Sequence, residues 1–471
     1  MHSYNYNEGH QDFKNLVSQY EKMLAQGVIA FLEIESFEHI IDYYEQEHEL
    51  QKALEVVGHA IAQHTYSATF YIRKAQLLIE DARFVEAAKA LDLAFIYEPS
   101  NLDILLTKTD MYMHKLEPEK ALEVLSEAKA LADEGDMDDI YILEATVYET
   151  QGNYTKAFKM LQKAILSDPF NELALSRMWM NMELAELYKE GIKFHLKIID
   201  EAPYSHWAWF NLGHAYAQLD QLEKAIEAYD YAIVINDKFE YAYRDCINCL
   251  FGMGEYKQAL NYVNDYIEHF DPDAEILTVA GECYESLEQF IKAREYYVKA
   301  LKIDDLDGRV YYRLGVCYAH EGQWGSAREM FESAHKADRK NEEFCIALAE
   351  ACNQLDDLES AHTHYHKALE IAPELVSSWI NYLEFLIDEE SYAFALDILI
   401  DAEEHCGDDL DLTYAKAAIL LESGARQDGL LVLADALDQD AAACKVLFQI
   451  APDMKEDLEV LQFIIDHQGL E

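Results

Sequence analysis

The chain has 471 residues, 37 basic and 90 acidic, for a formal net charge of −53. A surface of that sign repels nucleic acid and anionic membranes, and neither is expected as a partner. The acids are spread rather than blocked, so they read as a solvated outer face, with adaptation to basic partners as the sharper alternative.

The opening residues MHSYNYNEGHQDF show no basic segment followed by an apolar core, so no secretory signal is expected. No apolar run is long enough to cross a bilayer, and no membrane insertion is expected. Residues 1–33 carry helical spacing at Phe13, Leu16, Val17, Tyr20 and Leu24, closed by Gly27. They are predicted to form an N-terminal capping helix.

From Ile34 a 34-residue period begins, with unit starts at 34, 68 and 102. Two extra residues near Asp133–Asp138 reset it to 138, and starts follow at 172, 206, 240, 274, 308, 342, 376 and 410. That makes twelve repeats over 34–443. The twentieth position is Ala or Gly throughout, from Ala53 through Gly191 and Ala293 to Gly429. Two antiparallel helices nest there only if the facing side chain is small. The position seven later is Ala in ten repeats, with Ile198 and Tyr266 as the exceptions.

Residues 206–239 state the pattern most fully. Trp209-x2-Leu212-Gly213-x2-Tyr216 is followed by Ala225-x3-Tyr229, with Asp237 where the pattern closes on Pro. Residues 308–341 repeat it with Tyr311, Leu314, Gly315, Tyr318, Ala327 and Phe331. On these residues the chain resembles tetratricopeptide-repeat proteins over about nine-tenths of its length. The resemblance implies an all-α, right-handed superhelical solenoid of antiparallel helix pairs.

The fifth repeat departs from the pattern. Trp179 fills a small-residue position, Gly191 replaces Ala, and Met178, Met180 and Met182 crowd the first helix. The bulky Trp179 is expected to splay the pair, with flexible methionines as filler or as an adaptable contact. Residues 444–471 lose the repeat. Pro452 breaks the chain, and Asp453–His467 is predicted to be one amphipathic helix of a C-terminal cap.

No P-loop, nucleophile elbow or H-E-x-x-H pattern occurs, so no enzyme, cofactor or metal is expected. His362, His364 and His366 put two histidines on one helix face without an evident third ligand. Cys246-x2-Cys249 has redox or zinc spacing but lies within a helix. With Cys283, Cys317 and Cys352 it reads as core packing in a reducing, cytoplasmic setting.

Function then falls to the first helices. In the resembled family these line a concave groove through positions 2, 5, 6, 9, 12 and 13. Carried over, the groove gains Trp207, Phe210, Asn211 and His214, then Tyr241, Arg244, Asp245 and Asn248, then Arg309, Tyr312 and Arg313, with the acidic Glu35, Glu38, Asp42 and Glu45 at the N-terminal end. Some family members clamp a C-terminal carboxylate. Arg244, Asn248, Arg309 and Arg313 match that clamp in kind, while Val279 stands where it needs Asn. The expectation is a non-catalytic scaffold that binds an extended peptide or protein segment, with carboxylates as candidate contacts. The alternative is an assembly protein that works through its edges or caps.

Overall fold

The computed structural model describes residues 5–468, with side chains over 15–467. Contacts divide the chain into two compact units, residues 1–249 and 250–471. Each unit is a stack of antiparallel helix pairs, and no strand occurs among the described residues.

First helices in the first unit begin at Ile34, Ala68, Leu102, Met137, Glu172, His206 and Glu240. Those in the second begin at Ala274, Gly308, Glu342, Val376 and Leu410. Many of these starts share one local cause. Asn101, Asn171, Ser205, Asp273, Asp307, Asn341 and Asp409 each accept a hydrogen bond from a backbone N–H of the first turn. Such a side chain satisfies a donor that the helix itself leaves open.

The turn inside each pair is also uniform. One residue per pair has positive φ, and its place is fixed: His48, Ala82, Leu116, Gly152, Glu186, Asp220, Gly254, Glu288, Gly322, Asp356, Glu390 and Gly424. The following N–H then donates back into the first helix, as Glu49 does to Tyr44 O at 2.8 Å and Leu187 to Met182 O at 2.9 Å. These bonds satisfy terminal carbonyls and offset the cost of the left-handed residue. Eight of the twelve are not glycine, so the turn is imposed by packing rather than by glycine's freedom.

The pairs close on small residues. Ala53, Ala87, Ala121, Ala157, Ala225, Ala259, Ala293, Ala327, Ala361 and Ala395 are fully buried. A Cβ on Gly213, Gly281 or Gly315 would lie 2.6, 2.4 or 2.5 Å from the ring of Tyr229, Tyr297 or Phe331. Glycine there lets an aromatic ring from the second helix lie flat against the first.

Trp179 stands where those glycines stand. Helices Glu172–Leu184 and Tyr188–Glu201 approach less closely than the pairs on either side, and Glu172–Leu184 leans instead on His206–Ala217. The ring of Trp179 meets His214 edge-on at 5.6 Å. The Met182 side chain fills the gap at Gly191, where a Cβ would sit 2.0 Å from its Sδ. Opposite Trp179, His195 takes the place of Tyr229 or Phe331 and is fully buried.

The ends differ in part from expectation. The first helix runs Asn5–Ala25, buries Val17 and Tyr20, and bonds Tyr20 Oη to His59 Nδ1 at 2.7 Å. The side chain of Phe13 and residues 1–4 and 469–471 lie outside the described residues. At the other end the predicted helix Asp453–His467 is corrected. A 3-10 turn, Pro452–Lys455, precedes a helix that starts only at Leu458. Asp457 sets that start, because its Oδ1 accepts from the N–H groups of Glu459 and Val460.

Candidate functional site

Of the arginines expected to grip a ligand, Arg313 holds neighbouring first helices together. Arg313 donates from Nε to Glu282 Oε1 at 2.7 Å and from Nη1 to Glu285 Oε1 at 3.3 Å. Both carboxylates belong to the preceding first helix, Ala274–Ser286. The same ion pairing recurs in the first unit. Arg73 reaches Asp42 and Glu45, and Arg177 reaches Glu149 and, at 3.0 Å, Thr146 Oγ1. In each case an arginine at the sixth position is met by residues at the ninth and twelfth positions of the preceding first helix. Removing the arginine would leave half-buried carboxylates without their cation, which costs more than the pair itself contributes.

The other expected residues separate by exposure. Arg244 bonds Glu240 through Nε at 2.9 Å and Nη2 at 2.8 Å, and Asn248 is exposed. Arg309 keeps a side chain 85% exposed and touches Asp307 at 3.4 Å. Tyr312 is half-buried, and its hydroxyl donates to Glu343 at 2.9 Å.

Phe210, Asn211 and His214 are corrected from groove surface to interior. Phe210 is buried beneath Phe239 and Tyr241, at ring separations of 5.3 and 6.1 Å. Asn211 is fully buried and donates to Leu175 O at 2.9 Å. His214 is wedged between Glu183 at 3.4 Å and Asp245 at 3.9 Å. The next first helix covers these positions, which a position rule drawn from one repeat does not register. Tyr241, 55% exposed, and the half-buried Trp207 form the accessible edge of this aromatic group.

Two clefts of the same construction lie on the first-helix faces, one in each unit. The cleft in the second unit has a volume of about 620 Å³ and runs between Ala274–Ser286 and Gly308–His320. Val279, Ile303 and Val310 supply its apolar wall. Asp273, Glu275, Glu282, Asp304 and Asp307 set five carboxylates against Arg309 and Arg313. The cleft in the first unit, about 390 Å³, is lined by Glu38, Asp42 and Asp103 around Arg73. Burial pushes the Glu282 carboxyl up from its ordinary value, against the opposing pull of Arg313.

Further along the same unit Glu384 is half-buried, and burial likewise raises its carboxyl, opposed by a hydrogen bond from Gln449 at 3.3 Å, with Asp388 and Glu350 adding like charge. An acid whose folded value is raised costs stability at neutral pH and regains it as pH falls through that value. Glu384→Gln is therefore expected to raise the urea midpoint at pH 7, with the gain shrinking toward pH 4. A midpoint that drops at pH 7 would mean the charge is satisfied.

The histidine and cysteine motifs are accounted for locally. His362 bonds Tyr382 Oη at 2.9 Å and Glu389 at 3.1 Å, and His366 meets the same hydroxyl at 3.3 Å. Cys246 and Cys249 are buried, and burial pushes the Cys249 thiol up to about 11, away from reactivity. No helix among the described residues is long and apolar enough to cross a membrane.

Models of the tetratricopeptide repeat match residues 138–171, 206–239, 274–305 and 319–379. The chain is a tetratricopeptide-repeat protein. Such repeats are typically non-catalytic and bind protein partners. No curated protein matches the chain. Among solved structures, YrrB, described as a TPR protein with an unusual peptide-binding site, is 21% identical. That match covers 39% of this chain and 95% of YrrB, with a TM-score of 0.36. The Cut9–Hcn1 hetero-tetramer of APC/C gives 12% identity over 88% of this chain and 95% of the other, with a TM-score of 0.37. The C-terminal part of a TPR repeat-containing protein from Cytophaga hutchinsonii gives 15%, 54%, 99% and 0.42 in the same order. The assignment of this tetratricopeptide protein rests on the repeat matches.

Proposed function

We propose that this chain is a non-catalytic scaffold, active in the cytoplasm, that holds an extended segment of a protein partner against its first-helix faces. In this reading residues 34–443 form twelve repeats, capped by 1–33 and 444–471. The observation that carries it is the cleft between Ala274–Ser286 and Gly308–His320, built from corresponding positions of successive pairs. An extended chain rises about 3.3 Å per residue, so one segment could present alternate side chains to successive first helices. The Trp207–Tyr241 edge is a second, apolar contact of the same kind in the first unit.

Arg313 and Arg244 are engaged by carboxylates of this chain, so a carboxylate clamp would have to displace those pairs. The assembly alternative finds local support in Val28 and Phe31, 70% and 64% exposed near the N-terminal end. Two side chains are less than a continuous patch.

Thr278 lines the cleft and is half-buried. Thr278→Trp should fill the cleft without entering the core. Purified from its own cells, the wild-type protein is expected to carry a partner that the folded Thr278→Trp protein has lost. Retention of the same partner by the filled variant would defeat the reading.

A further inference from the structure

We infer that the occupant of the cleft in the second unit is a basic segment, one that inserts lysine or arginine side chains between Ala274–Ser286 and Gly308–His320. This rests on the segment-binding reading above and adds the chemistry of the partner.

The argument starts from which charges the cleft can offer. Arg313 lies in its wall, yet its guanidinium is closed by Glu282 and Glu285 of the neighbouring helix. An incoming carboxylate would have to break two ion pairs and leave two half-buried carboxylates behind. Arg309 reaches outward with 85% of its side chain exposed, and its carboxylate contact, Asp307, belongs to the same wall. Asp304 stands exposed at the rim, and the five carboxylates of the lining outnumber its two arginines. The accessible face is therefore acidic even though it contains two arginines.

The apolar wall fits the same occupant. Val279 and Ile303 would cover the methylene stem of a lysine or arginine while its charged end meets the rim carboxylates. A glutamate or aspartate has no stem of that length. The Glu38, Asp42, Asp103 and Arg73 cleft repeats the design, so the device is not an accident of one pair.

A protein with net charge −53 attracts any polycation, so the test must separate the cleft from the general field. The probes are two labelled peptides of equal length, one alternating Lys and Ala with an amidated end, one alternating Glu and Ala with a free end. Binding is read by fluorescence anisotropy on the full chain at low and high salt. The cleft variant is Glu275→Gln with Asp304→Asn, which keeps both shapes. The matched control is Glu295→Gln with Glu329→Gln, two exposed acids on second helices of the same unit. Circular dichroism checks that all are folded.

The Lys–Ala peptide is expected to bind, to weaken about tenfold in the cleft variant, and to change less than about twofold in the control. Added salt should weaken it further, since exposed charges are screened within about 8–10 Å. Equal losses in both variants would overturn the inference, because the general field would then explain the binding. Tighter binding of the Glu–Ala peptide, or binding of neither, would overturn it as well. The broader reading fails separately, if Thr278→Trp keeps the natural partner. If Thr278→Trp loses that partner while the cleft variant binds Lys–Ala unchanged, only the basic-segment inference falls.

Discussion

Ala293→Trp is expected to lower the stability of the second unit by about 1–3 kcal/mol or more, the range for overpacking a close-packed interior. Ala293 is fully buried and packs with Leu277, Tyr297, Leu314 and Cys317. Its neighbourhood has no slack. Tyr297 already lies so close to the first helix that Gly281 could not carry a Cβ without a 2.4 Å contact. An indole at Ala293 can be housed only by moving the helix Phe290–Leu301 outward. That movement would also pull on Tyr297, whose hydroxyl donates to Glu285 at 2.5 Å. Because each pair packs on its neighbours alone, the damage should stay local. Urea unfolding reads the loss, and hydrogen exchange should show it centred on Phe290–Leu301. An unchanged midpoint would mean that the pairs are not closed on this residue.

His195→Phe should act in the opposite direction. His195 is fully buried, and neither Nδ1 nor Nε2 finds a hydrogen-bond partner. A buried polar group left unsatisfied costs about 1–3 kcal/mol, and phenylalanine removes that cost at similar size. Burial also pulls the imidazole down from 6.5 to about 3. The folded state thus keeps His195 neutral where the unfolded chain takes up a proton. Stability contributed by the neutral ring is complete above pH 6.5 and lost as pH falls toward 3. The slope is about 1.4 kcal/mol per pH unit, so the advantage of His195→Phe should widen by about 2 kcal/mol between pH 7 and pH 5. Parallel stability curves for the two proteins would show that water reaches the ring.

The chain's architecture was legible where one residue answers to one constraint. Ala293 and its equivalents are small because two helix backbones meet there. That requirement is local, recurs every 34 residues and survives changes elsewhere. Trp179 was legible for the same reason, as a bulky residue where glycine is needed. The left-handed turn residues were less legible. Leu116 and Glu186 carry positive φ with no side-chain reason to do so, because the helices on either side fix the turn. The binding face was the least legible. Arg313 looks like a ligand contact until Glu282 and Glu285 are placed beside it, and those two acids lie 31 and 28 residues earlier. Phe210 looks exposed until Phe239 and Tyr241 close over it. Both outcomes depend on the packing of successive repeats, which no single helix records.

The wedge at Trp179 has a mechanical consequence. A stack of helix pairs bends like a row of springs in series, and the softest spring takes most of the deflection. Stiffness in such a row comes from close interhelical packing, and the pair Glu172–Leu184 with Tyr188–Glu201 has less of it than its neighbours. Its filler includes Met178 and Met182, side chains that change shape at small cost. A load applied along the first unit would concentrate its strain at this pair, and the remaining pairs would turn as nearly rigid blocks on either side.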